Sequence, residues 1–148
     1  MTQPAQLPGD FVAPDLYDQV QRFYARQMHA LDRGDAAAWA ATFTADGTFT
    51  ANAAPQPVHG RAAIRRAAED TARDLAEKGI VRRHWLGMLD VQPRPDGTVD
   101  ARSYALIVES PRNGRPDVRL STLCEDVLVP GEDGWQVRSR TVTRDDLR

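Results

Sequence analysis

Cysteine is almost absent from this chain: Cys124 is the only one in 148 residues. A lone thiol cannot build a disulfide framework, so the fold must rest on packing. That usage fits a reducing cytoplasm, where the protein is expected to reside. Charge of one sign is also missing, the net charge being −2. No broad basic field is available to hold nucleic acid or an anionic membrane, and neither is expected as a partner. No apolar run approaches the ~20 residues of a membrane span. The opening MTQPAQLPGDFVAP lacks both the basic start and the apolar run of a signal peptide. The three histidines, His29, His59 and His84, have no metal-ligand spacing, so no metal site is expected. There is no phosphate-binding glycine loop, dinucleotide fingerprint or Gly-x-Ser-x-Gly elbow, and no cofactor is expected.

What is present suits one ordinary domain, over residues 14–148 behind a flexible leader at 1–13 where Pro4, Pro8 and Gly9 oppose regular structure. Asp15 can cap a first helix, whose Leu16, Val20, Phe23, Met28 and Leu31 recur at helical steps. Gln27 is the polar residue inside that stripe, either a hydrogen-bonded core amide or a polar group in a pocket. Gly34 ends the helix, and Asp35 caps a short second one, Ala36–Phe43. A short strand, Gly47–Asn52, precedes a third helix, Arg61–Lys78, with the modest stripe Ile64, Ala67, Ala68, Thr71 and Leu75.

After Gly79 the period changes from helical to two. Four strand-like runs, Ile80–Gln92, Thr98–Ser110, Asp117–Val129 and Trp135–Thr143, are separated by Asp96-Gly97, Asn113-Gly114 and Pro130–Gly134 turns. Three helices followed by an antiparallel meander predict an α+β fold with the helices on one sheet face. Hairpin parity predicts an inner face of His84, Leu86, Met88, Ser103, Ala105, Ile107 and Glu109. The next strands add Leu120, Thr122, Cys124 and Asp126, then Val137, Ser139 and Thr141. The opposite face would carry Trp85, Leu89, Val91, Tyr104, Leu106, Val108, Leu123, Val127 and Val142. So much apolar area should not face water, and a two-fold homodimer through that outer face is expected.

Two residues stand out chemically. His84 lies in the middle of the apolar strand VRRHWLGMLDV. Free imidazole titrates near ~6.5, within easy reach of neutral-pH proton transfer. The plainer reading is a structural histidine bonded to backbone or water, the commoner fate of a lone histidine on such a strand. Asp32 ends the first helix at the edge of its apolar stripe, where the macrodipole opposes a carboxylate by ~0.3–1 kcal/mol. It is either a solvated surface aspartate or the partner of an imidazole, whose tautomer it would fix. Cys124 reads as a small buried hydrophobe rather than a nucleophile. Arg82-Arg83 and Arg138, Arg140 and Arg144 read as solvated rim positions, with an anionic substrate as the less favoured alternative.

The segments LDRGDAAAWAATFTADGTF, RRHWLGMLDV, ARSYALIV and GWQVRSRTV resemble the SnoaL-like branch of the nuclear transport factor 2-like superfamily, over roughly Leu16–Thr143. The resemblance implies a cone-shaped α+β barrel, in which a strongly curved, mainly antiparallel sheet wraps three N-terminal helices around a deep pocket. Many members of that superfamily dimerise through the sheet. The arrangement is also similar to the scytalone dehydratases, in which a helix aspartate and a strand histidine act on a bound polyketide through water. By position Asp32 and His84 match that pair. Leu31 stands where those enzymes have a tyrosine, Ile107 or Glu109 where they have a second histidine, Phe49 or Thr50 where they have another tyrosine, and a residue near Cys124 where they have an asparagine. The overall pattern is further similar to small aromatic-polyketide tailoring proteins of the actinorhodin type.

The expectation is thus a cofactor-free polyketide cyclase or dehydratase, with His84 as general acid/base and Asp32 orienting it or a water. Trp39, Phe49, Leu86, Met88, Ile107, Leu120 and Cys124 would shape the pocket for an aromatic polyketide. The alternatives are an epoxide hydrolase, a ketosteroid-isomerase-like isomerase, and a non-catalytic binding module of the same fold.

Overall fold

The structure is a computed structural model that describes residues 12–131 and 134–148. Of the expected leader, residues 1–11 lie outside the described residues, and Val12 packs against the core. Three helices, α1 (Pro14–Asp32), α2 (Ala36–Ala41) and α3 (Arg61–Lys78), lie with six strands. The strands are β1 (Phe43–Ala51), β2 (Val58–His59), β3 (Ile80–Pro93), β4 (Val99–Pro111), β5 (Asp117–Gly131) and β6 (Gly134–Arg144). They form one curled sheet in the order β2-β1-β6-β5-β4-β3. The fold is α+β as expected, and the pairing is antiparallel except between β1 and β6. No helix among the described residues is long and apolar enough to cross a membrane.

Local chemistry sets the helix ends. Pro14 opens α1, where a missing N–H costs nothing, so Asp15 lies in the first turn rather than at the cap. Asp35 does cap α2, its Oδ1 accepting from the Ala38 N–H at 3.0 Å. The second helix stops before Thr42, and Phe43, expected at its end, instead begins β1. Gly34 leaves α1 with φ +81°, a conformation that a β-carbon disfavours.

The turns set the predicted register, and bulges then break it. His84 pairs with Ile107 and Leu86 with Ala105, on the expected parity. Between Gly87 and Asp90 the strand β3 holds one extra residue, and Met88 takes φ 52°. Met88 therefore turns outward and is 78% exposed, against its expected place in the pocket. Beyond the bulge the faces exchange: Val91, expected outside, is buried in the core, and Leu89 packs against it. A second bulge sits between Ile107 and Val108, opposite Leu120 and Val118. A third shifts the β5–β6 register between Val127 and Leu128. Val137 stays inside as expected, but Arg140 and Val142 follow it there, so Ser139 and Thr141 take the outer face.

These shifts divide the space between helices and sheet. One end is a dry core of Val20, Trp39, Phe43, Val91, Val99, Leu128 and Val137. Fully burying such side chains contributes about 1.5–3 kcal/mol each. The other end is open, because α3 faces the sheet with Ala67, Ala68 and Ala72, which are too short to fill the gap.

Candidate active site

The open end is a cavity of about 350 Å³, within the usual range for small-molecule sites. Its walls are mostly apolar and come from every layer: Met28 and Leu31 of α1, Trp39 of α2, Phe49 of β1 and Ile64 of α3. From the sheet, Leu86, Ala105, Ile107, Cys124 and Val142 face it. The predicted Trp39, Phe49, Leu86, Ile107 and Cys124 are thus all at the cavity. Met88 and Leu120 are not: Met88 has turned outward, and Leu120 lies half-buried beside the β4–β5 bulge.

Asp32 and His84 meet at the cavity wall. The end of α1 delivers Asp32 to the middle of β3, and its carboxylate takes two bonds from one residue. Oδ2 accepts from the His84 backbone N–H at 3.0 Å, and Oδ1 lies 2.6 Å from Nδ1. A carboxylate can only accept, so Nδ1 carries a proton and the Nε2 lone pair is left free in the neutral ring. Nε2 has no protein partner among the described residues, where no buried side-chain nitrogen or oxygen is left unpaired. It is therefore open to the cavity. The His84 side chain is 15% exposed and that of Asp32 8%, and both line the cavity. The two bonds also supply the compensation that a carboxylate at a helix C-terminus requires.

Deeper in, a second polar cluster separates cavity from core. Arg140 donates from Nε to Asp126 Oδ1 at 2.9 Å and from Nη2 to Asp126 Oδ2 at 2.7 Å. Nη2 also reaches Gln27 Oε1 at 2.7 Å, and the Tyr24 hydroxyl donates to Asp126 Oδ2 at 2.6 Å. Gln27 is thereby the hydrogen-bonded core amide of the two readings, its Nε2 donating to Thr42 Oγ1. The guanidinium lies within 5.8 Å of the Tyr24, Trp39 and Phe43 ring centroids. Burial alone would pull Arg140 downward, but the Asp126 charge and hydrogen bonds outweigh it and hold the guanidinium protonated. Burial and then the same carboxylate push the Tyr24 hydroxyl well above its ordinary range, so it stays neutral. Burial likewise raises the Cys124 thiol, which argues against a thiolate nucleophile.

Arg140, expected on a solvated rim, is instead 4% exposed and lines the cavity. The available signal was Asp126, already assigned inward with no cation to neutralise it; a buried carboxylate demands one. Arg82, from the same expectation, is only half-buried. It lines the cavity and donates from Nη2 to Glu109 Oε2 at 3.0 Å, while Arg119 reaches Oε1 of the same carboxylate at 3.3 Å.

The described residues thus form an α+β fold whose helices and curled sheet enclose an apolar cavity with a His–Asp pair at its wall. The SnoaL-like domain family matches residues 15–141, and the chain belongs to that family. Among solved structures it is similar to Aln2 from a Streptomyces species, at 35% identity and a TM-score of 0.85, covering 96% of each chain. ActVI-ORFA from Streptomyces coelicolor is 39% identical with a TM-score of 0.81, over 90% of this chain and 97% of that one. A protein from Catenulispora acidiphila in complex with S-DNPA is 37% identical with a TM-score of 0.78, over 90% and 96%. No curated protein matches the chain in sequence.

Proposed function

We propose that this protein is a cofactor-free polyketide cyclase or dehydratase in which His84 is the general acid/base and Asp32 its positioning partner. The observation that carries the reading is the double grip of Asp32 on His84, which leaves Nε2 facing an apolar cavity. Nε2 takes the proton from a carbon next to a carbonyl, the C–H electrons form the new double bond, and the β-hydroxyl leaves with that proton as water. Ring closure by addition of a hydroxyl to an unsaturated ketone is the same sequence reversed, so one pair serves both directions. The likeness to Aln2, ActVI-ORFA and the S-DNPA-binding Catenulispora protein supports a polyketide-derived substrate.

An epoxide hydrolase or isomerase is a weaker reading. Both oxygens of Asp32 are engaged by His84, which leaves neither dedicated to a nucleophilic water. A non-catalytic binding module is the other alternative, and turnover decides it. With S-DNPA as the first compound tried, and aromatic polyketide intermediates after it, His84→Gln should lower turnover about 10²–10⁴-fold. Asp32→Asn should lower it through the ring's tautomer, with binding kept in both variants. Unchanged turnover in both, or binding without turnover in the parent chain, sinks the proposal.

We also assign the chain a single cone-shaped domain, a cytoplasmic location and a homodimer through the outer sheet face. There Trp85 is 74% and Tyr104 59% exposed, around a shallow hollow that Met88, Leu106 and Leu123 also line. Trp85→Glu should halve the mass measured by sedimentation if that face is the interface.

A further inference from the structure

We infer that Arg140 receives a carbonyl oxygen of the substrate and stabilises it as that oxygen becomes an enolate. The inference rests on the proposed acid–base reading and adds the group that accepts the developing charge.

Arg140 uses Nε and Nη2 on Asp126 and Gln27. Nη1 has no partner among the described residues, where no buried side-chain nitrogen or oxygen goes unpaired. Nη1 therefore has open surface, and the open surface of this residue is in the cavity. Four bonds fix the cluster. Tyr24 and Gln27 sit on α1, and Asp126 anchors the fork from β5. Its donors are thus preorganised, which is what makes such groups effective on a developing charge.

Shared walls support the same assignment. Arg140 and His84 line one cavity, and α1 supplies the partner that holds each, Gln27 for Arg140 and Asp32 for His84.

Charge decides which oxygen fits. Asp126 already neutralises Arg140, and Tyr24 is neutral, so the cluster carries no net charge. A full carboxylate would give up its water for a neutral site, at a net cost. A carbonyl arrives uncharged and gains charge only when His84 takes the neighbouring proton. This differential is what lowers a barrier.

A nitronaphthol tests this, because its phenolate mimics an enolate and its colour reports ionisation. The phenol bound to the parent chain should ionise about one pH unit lower than in Arg140→Gln/Asp126→Asn, a double variant that keeps a neutral hydrogen-bonded pair and whose folding is checked by thermal melting. His84→Gln should keep that shift. If the shift survives in the double variant, or the parent chain shows none, the inference falls. Tight, Arg140-dependent binding of 2-naphthoate relative to 2-methylnaphthalene would also overturn it, in favour of a carboxylate site. Loss of turnover by neither His84→Gln nor Asp32→Asn, with the shift intact, would sink the acid–base reading and leave the oxygen site standing.

Discussion

Two aspartates face the space between helices and sheet, and each holds a nitrogen base that lines the same cavity. Asp32 holds His84, and Asp126 holds Arg140. The first pair keeps a ring nitrogen open to the cavity, with side chains 15% and 8% exposed. The second is buried more deeply, with side chains 4% and 1% exposed, and its cation is held charged. The same pairing, a carboxylate against a nitrogen base, thus leaves a ring nitrogen unpartnered in one place and ties a guanidinium to a tyrosine and a glutamine in the other.

Removing one member from each pair should break the two in different ways. Asp126→Ala leaves Arg140 buried without its counter-ion, and should cost about 3–5 kcal/mol of stability in denaturant unfolding. Asp32→Asn should leave stability nearly unchanged while turnover falls; equal losses of stability in both variants would erase the distinction. Tyr24→Phe removes a bond to a charged group and should cost about 1.5–3 kcal/mol, read the same way. Tyr24 and Cys124 are both raised in the folded chain, so each favours the fold below its ordinary pKa. That stability is lost as pH rises through the raised folded values. Unfolding midpoints should therefore fall above about pH 9–10, where Cys124 and then Tyr24 would ionise in the unfolded chain, and Tyr24→Phe should flatten the upper part of that fall. Lys78→Ala, which breaks the exposed pair with Asp74, should move stability by no more than about 0.5 kcal/mol.

The Asp32–His84 pair was the more legible of the two in sequence. Asp32 sat where a helix dipole opposes it and His84 where an apolar strand does not need it; both were locally out of place. The Asp-Gly and Asn-Gly turns set the register that brings His84 opposite Ile107. The Asp126–Arg140 pair was hidden because it depends on bulges. One extra residue exchanges every later side chain between faces, which moved Val91, Arg140 and Val142 inward and Met88, Ser139 and Thr141 outward. A bulge answers to curvature of the whole sheet, and local residue preference carries little of that. Gly87, a glycine inside β3 next to the first bulge, was the available hint. The cavity itself came from what α3 lacks: its modest stripe marked an unfilled wall as well as a weak helix face.

The attachment of both pairs to α1 makes the site more vulnerable to a lost residue than to an altered one. Each helical residue turns the chain by about 100°. A single deletion between Gln27 and Asp32 would swing one of the two off its strand partner while the other stayed in place. Drift in this lineage should therefore run through replacement along α1, with changes of length confined to the hairpin turns.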